Sequence, residues 1–98
     1  MTQYITRVEL HDAVWSDYTT LHEAMRREGF SQAITADDGA VYELPPAEYN
    51  YIGSETRSQV HDKAQRAART VKPSFAVLVT EANGVMWSGL RLLKRAAA

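Results

Sequence analysis

Apolar and polar residues alternate at the start of the chain and then recur at helical spacing. Between residues 3 and 10 every second side chain falls on the same face. The residues that share the predicted inner face are Tyr4, Thr6, Val8 and Leu10. This period of two is typical of a half-buried strand. A stripe with helical spacing follows at Trp15, Tyr18, Leu21, His22 and Met25. It predicts a first helix, which Asp12 or Ser16 could cap and which Gly29 could end in a left-handed conformation.

The second half of the chain repeats this order of strand and helix. Residues 30–36 predict a second strand, the segment Asp37-Asp38-Gly39 a turn, and residues 41–44 a short return segment. Extended structure resumes at residues 49–52. Thr56 and Gln59 have the spacing of a capping box, which predicts the start of a second helix. Its apolar stripe consists of Val60, Ala64, Ala67, Ala68 and Val71.

The last predicted strand lies at residues 74–80, where both faces are apolar, as in a central strand. Asn83-Gly84 is a strong hairpin dipeptide, so Val85-Met86-Trp87 could return as a short edge strand. The element order predicts an α+β fold of the ferredoxin-like βαββαβ type, with both helices on one face of an antiparallel sheet and a small C-terminal hairpin. We expect a single domain over residues 1–98, in which residues 89–98 form a short docked helix or a frayed tail.

Composition and charge exclude several classes of protein and chemistry, but they do not identify the function. The net charge is −1, so any contact with RNA needs a local basic patch. The chain has no cysteine, which excludes disulfides and thiolate chemistry and suits the cytoplasm. Its start resembles no signal peptide, and it has no apolar run long enough to span a bilayer. We therefore expect a cytoplasmic protein without a membrane partner.

His11 and Asp12 are the strongest candidates for catalysis, because they follow the first strand directly. Asp12 could hold a divalent metal or orient His11 as an acid or base. The alternative is that Asp12 caps the helix and His11 is solvated. No histidine spacing indicates a zinc site, and no glycine-rich phosphate loop or nucleophile elbow is present. We therefore predict no metal centre and no cofactor beyond a divalent ion at Asp12.

Tyr49 and Tyr51 lie two residues apart and so share a face of the third strand. They could stack on RNA bases, or they could line the core or a contact between two subunits. Arg26 and Arg27 at the end of the first helix are candidates for binding phosphate. A homodimer that buries this sheet face is an alternative, non-catalytic role.

Several segments resemble those of a known family. They are residues 4–10, Tyr18-x-x-Leu21 with Met25, Gly29-Phe30-Ser31, Ala36-Asp37-Asp38-Gly39, Leu44 and residues 49–51. Through most of residues 3–80 the chain resembles the GhoS-like family, the antitoxins of type V toxin–antitoxin systems. The likeness fades after residue 80.

This resemblance implies a ferredoxin-like domain similar to the Cas2 nucleases, and a sequence-selective endoribonuclease that cleaves the message of a membrane-active toxin. It implies single-stranded mRNA, rather than DNA, as the partner, and Cas2-like proteins are homodimers. Their acidic residue at the end of the first strand has its nearest equivalent in Asp12. On this reading His11 or Asp12 activates a hydroxyl or water, and Arg7, Arg26 or Arg27 stabilises the phosphate charge.

Overall fold

Residues 1–96 fold into two helices and two three-stranded antiparallel sheets, which confirms the predicted α+β class. The computed structural model describes residues 1–96, so residues 97 and 98 of the predicted tail lie outside it. The elements are β1 (Thr2–Leu10), α1 (Trp15–Arg27), β2 (Ala33–Thr35), β3 (Val41–Glu43), β4 (Glu48–Gly53), α2 (Arg57–Arg69), β5 (Phe75–Ala82) and β6 (Leu92–Lys94). None of the helices in residues 1–96 is long and apolar enough to cross a membrane.

The main sheet has the order β4-β1-β5, with β1 antiparallel to both neighbours. The predicted alternation of β1 is confirmed, since its even-numbered residues from Tyr4 to Leu10 are buried. Apolar residues of α1 and α2 join the same core cluster, so both helices cover one face of this sheet. The odd-numbered residues of β1 lie on the other face, which no helix covers.

The helix ends follow the sequence prediction in one case and depart from it in the other. The capping box of α2 is confirmed: Gln59 N donates to Thr56 Oγ1 at 3.1 Å, and Thr56 N donates to Gln59 Oε1 at 2.8 Å. The predicted caps of α1 are wrong, because Val14 is the N-cap residue. Its backbone N–H donates to Asp17 Oδ2 at 2.9 Å, so a carboxylate inside the first turn performs the task expected of Asp12 or Ser16.

The second sheet, of order β2-β3-β6, corrects the expected four-stranded layer. The backbone of the segment after α1 pairs with the main sheet at a single bridge, between Ser31 and Asn50, and β2 then pairs with β3. The predicted C-terminal hairpin is also wrong, because residues 85–87 form no strand. Trp87 instead packs edge-on against Tyr42, with 5.5 Å between ring centroids, and the chain returns at β6 to pair with β3.

The prediction that residues 74–80 form a central strand is wrong as well. The central strand is β1, and β5 lies at the outer edge of the main sheet. The short turn before β4 brings that strand to the opposite side of β1. There Ala47 adopts a φ of 71°, and its carbonyl accepts a hydrogen bond from Val8 N at 3.0 Å.

Candidate functional site

The end of β1 is held on both sides as it leaves the sheet. Leu10 N donates to the hydroxyl of Tyr18 at 3.1 Å, and His11 N donates to the carbonyl of Ser74 at 3.1 Å. Asp12 then takes a left-handed φ of 54°, which turns the chain towards α1. The strand exit predicted to carry the chemistry is therefore a well-fixed part of the backbone.

His11 has a polar neighbour at each ring nitrogen. Nδ1 lies 2.7 Å from Ser74 Oγ, and Nε2 lies 3.3 Å from Glu9 Oε1. The tautomer with its proton on Nε2 fits both contacts, because Nε2–H then faces the carboxylate and the serine hydroxyl donates to the lone pair of Nδ1. The side chain is 45% exposed, so the ring is open to solvent. This arrangement presents a base to a hydroxyl group at the surface.

Arg7 lies on the same face of β1 as Glu9, two residues along the strand. Its Nη1 is 3.9 Å from Glu48 Oε2, and the arginine side chain is 61% exposed. An exposed ion pair of this length contributes little to stability. The guanidinium can therefore leave Glu48 for a phosphate without a large cost to the fold.

Asp12 is exposed, and the cap that it was expected to form is supplied by Asp17. Within residues 1–96 no group of three or more histidine, aspartate or glutamate side chains is placed to hold a metal ion. A divalent cation beside Asp12 would therefore take most of its oxygen ligands from a substrate or from water.

Arg26 and Arg27 are not brought to the strand exit. They end α1, and Gly29 just beyond them lies against the ring of Tyr51, which pairs with Tyr4 near the start of β1. Arg26 Nη2 lies 2.6 Å from Glu23 Oε2, and this contact holds the pKa of the Glu23 carboxyl below its usual range. The two arginines therefore stand at the opposite end of the sheet from His11.

Tyr49 and Tyr51 lie in the core, which corrects the idea that they stack on RNA bases. The alternative of core lining describes both. Tyr49 is fully buried, and its hydroxyl is 2.7 Å from His22 Nδ1. The hydroxyl of Tyr51 donates to Glu55 Oε2 at 2.6 Å, and this bond raises the pKa of Tyr51 to about 12. Neither ring is open to a nucleobase or to a second subunit.

The site residues that sequence reasoning missed are Glu9 and Ser74. The alternation of β1 places Glu9 two residues before His11, so this neighbour could have been found from spacing alone. Ser74 is 63 residues from His11 in the chain, and only the β1–β5 register brings the two together. No signal in one sequence states that register.

A scan against protein-family models matches residues 1–84 to the family described as endoribonuclease GhoS. A search of curated proteins finds no match. The matched region contains β1, Ser74 and all of β5, and it ends before β6.

Proposed function

The chain belongs to the endoribonuclease GhoS family, and on that premise we propose that it cleaves single-stranded RNA at the end of β1. The observation that carries the proposal is the contact of 2.7 Å between His11 Nδ1 and the Ser74 hydroxyl, with Glu9 on the other side of the ring. An imidazole nitrogen that lies within hydrogen-bond distance of one hydroxyl is well placed to activate another.

In the proposed reaction, the 2′-hydroxyl of a nucleotide takes the place of the Ser74 hydroxyl at Nδ1. His11 accepts the proton while the 2′-oxygen attacks the adjacent phosphorus. The bond from phosphorus to the 5′-oxygen of the next nucleotide breaks, and that oxygen takes a proton from water. The His11 imidazolium then returns its proton to the hydroxide so formed, which restores the starting imidazole. The products are a 2′,3′-cyclic phosphate and a 5′-hydroxyl.

Two charged neighbours support this chemistry. The carboxylate of Glu9 lies 3.3 Å from Nε2, which favours the tautomer with the lone pair on Nδ1 and would stabilise the imidazolium formed when His11 takes a proton. Arg7 is the exposed cation on the same strand face and would balance the charge that develops on the phosphate. Asp12 is the position where a divalent ion could add to this stabilisation.

We also propose that the main sheet and the two helices form a reduced ferredoxin-like unit of the Cas2 type. The order β4-β1-β5 supports this, together with the single bridge from Ser31 to Asn50 on the outer side of β4. The ferredoxin-like arrangement has a full strand at that place. Here the segment makes one bridge before it leaves for the second sheet.

The biological role that we propose is that of an antitoxin acting in the cytoplasm on the message of a membrane-active toxin. Family membership and the description of its model as an endoribonuclease support this role. A non-catalytic homodimeric module is the second candidate, and the exposed edge of β5 favours it.

Cleavage of a labelled pool of single-stranded RNA tests the proposal. We expect the full chain to release 2′,3′-cyclic phosphate ends, and His11→Gln to slow cleavage about 10²–10⁴-fold, the usual contribution of a positioned base. His61→Gln is the matched control, because His61 lies on α2 and contributes nothing to this site. Its rate should equal that of the unaltered protein.

Two further measurements sharpen the result. Ser74→Ala should retain cleavage, because the substrate hydroxyl replaces that side chain in the reaction. A chelator of divalent ions distinguishes two mechanisms. Cleavage should continue in its presence if His11 acts as a base alone, and it should stop if the reaction needs an ion at Asp12. Cleavage by His11→Gln at the full rate would overturn the assignment of the base. Failure of the unaltered protein to cut any RNA at low salt, with or without divalent ions, would overturn the function.

A further inference from the structure

The outer edge of β5 has no partner strand within residues 1–96. The strand runs for eight residues, and it pairs with β1 in an unbroken register from Phe75 to Ala82. It contains no proline, lysine or bulge, the features by which natural proteins protect an exposed edge. An edge of this length and regularity is suited to pairing with another strand.

The side chains at the centre of this edge are apolar and incompletely covered. Leu78 is 64% exposed, on the sheet face that no helix covers. Val77 and Val79 point to the helix side and are only half-buried. They line a groove of about 700 Å³ between β5 and the first turn of α2. A strand placed alongside β5 would cover all three residues.

We propose that two copies of this chain join through β5, antiparallel to each other about a twofold axis at Leu78. Leu78 then faces the partner's Leu78, and Val77 faces the partner's Val79. The two main sheets become one continuous sheet of six strands. This inference specifies the interface and register of the homodimer raised above as the second candidate, and it does not depend on RNA cleavage.

The charges at the two ends of β5 complement each other in this register. Glu81 lies near one end, where its Oε1 is 4.0 Å from Nη1 of Arg57 in α2. At the other end, the Arg69 guanidinium lies 5.9 Å from the ring centre of Phe75. The antiparallel register puts Glu81 opposite the partner's Phe75 and therefore beside the partner's Arg69. A parallel register would instead place Glu81 beside the partner's Glu81, where like charges repel.

The same register extends the sheet next to the candidate site. Ser74 directly precedes Phe75 and holds the imidazole of His11. In the proposed dimer Ser74 lies beside the partner's Ala82, so each subunit completes the sheet edge at the other's site. The contact also differs from the one expected from sequence, because Tyr49 and Tyr51 are buried within the subunit.

Sedimentation of the full chain over a micromolar concentration series tests this dimer. We expect Leu78→Asp to raise the dimer dissociation constant at least about tenfold, because it buries a charge in an apolar contact. Ile52→Asp is the matched control: Ile52 is 59% exposed but lies on β4, at the far edge of the same sheet. That variant should dimerise as the unaltered chain does.

A charge exchange tests the register itself. Glu81→Arg and Arg69→Glu should each weaken the dimer, and the double variant should recover it, because the pair is restored across the interface. Circular dichroism and thermal melting confirm that each variant is folded. A monomer at every concentration would overturn the proposal. So would an Ile52→Asp variant as defective as Leu78→Asp, or a double variant no better than either single one.

Discussion

His22 projects from α1 into the core and ends on the hydroxyl of Tyr49, with 2.7 Å between Nδ1 and that oxygen. Burial lowers the pKa of His22, and the nearby carboxylate of Glu43 offsets only part of this effect. Burial also raises the pKa of Tyr49, so the phenol stays protonated and its hydroxyl donates a hydrogen bond to Nδ1 of His22 when that nitrogen carries no proton. A proton on Nδ1 would remove the acceptor of this bond.

The free energy of unfolding should therefore fall on acidification. The pKa of His22 is lowered in the folded state, so the unfolded chain binds the proton more readily once the pH falls below the ordinary value of 6.5. Urea denaturation at about pH 7.5 and about pH 5.5 measures the difference. His22→Gln should reduce the loss between the two values, and an identical loss in both proteins would contradict this explanation.

Sequence reasoning at the level of single residues named part of the candidate site described above and missed the rest. His11 was predicted from its place at the end of the first strand and Arg7 from the family resemblance, and the structure puts both on the face that no helix covers. For Tyr49 and Tyr51, the spacing showed that the residues share a face. It could not say which face the helices cover, because that depends on the packing of the whole sheet.

At the level of elements, the capping box of α2 offers a direct measurement. Thr56→Ala removes the acceptor for Gln59 N, so we expect a loss of about 1 kcal/mol in the free energy of unfolding. Ser58→Ala is the control, because that exposed serine lies in the first turn without acting as the cap. Equal losses in the two variants, measured by thermal or chemical denaturation, would argue against the cap.

The elements differ in how far local sequence determines them. Thr56 and Gln59 carry the whole signal for the start of α2 within four residues. The start of α1 depends on Asp17, which lies inside the first turn and also contacts Lys72 at 3.3 Å, far along the chain. The apolar composition of β5 indicated a central strand, and its place at the edge follows only from the register with β1.

On the scale of the whole molecule, the second sheet depends on a segment beyond the family match. In that segment β6 pairs with β3, and Trp87 packs on Tyr42. Arg91 Nη2 also lies 3.0 Å from Glu43 Oε2. None of these contacts reaches the core cluster under the main sheet. The two sheets therefore have largely separate packing.

Trp87→Ala should reveal that separation. We expect faster hydrogen exchange at the backbone amides of β2 and β3, because the variant loses the aromatic contact that holds the second sheet together. The amides of β1 and the rate of RNA cleavage should not change. Met86→Ala is the control, since Met86 is almost fully exposed. Faster exchange throughout β1 would mean that the sheets unfold as one unit.

Sequence periodicity predicted the α+β class and the sites of both helices but not the division into two sheets. The segment from 30 to 36 has the composition of one strand, yet Ser31 pairs with β4 and Ala33–Thr35 pairs with β3. Likewise Asn83-Gly84 indicated a tight hairpin, whereas the packing of Trp87 on Tyr42 delays the return until β6. Both outcomes depend on contacts between distant parts of the chain.

The left-handed backbone conformation at Ala47 lowers the stability of the folded protein. A left-handed conformation costs a residue with a β-carbon roughly 1–2 kcal/mol of folding free energy. Glycine loses more conformational freedom on folding, but its net cost at this position is smaller. The backbone carbonyl that anchors Val8 would survive the exchange. Selection for heat tolerance should therefore favour glycine at position 47, a change outside the candidate site that alters no charge.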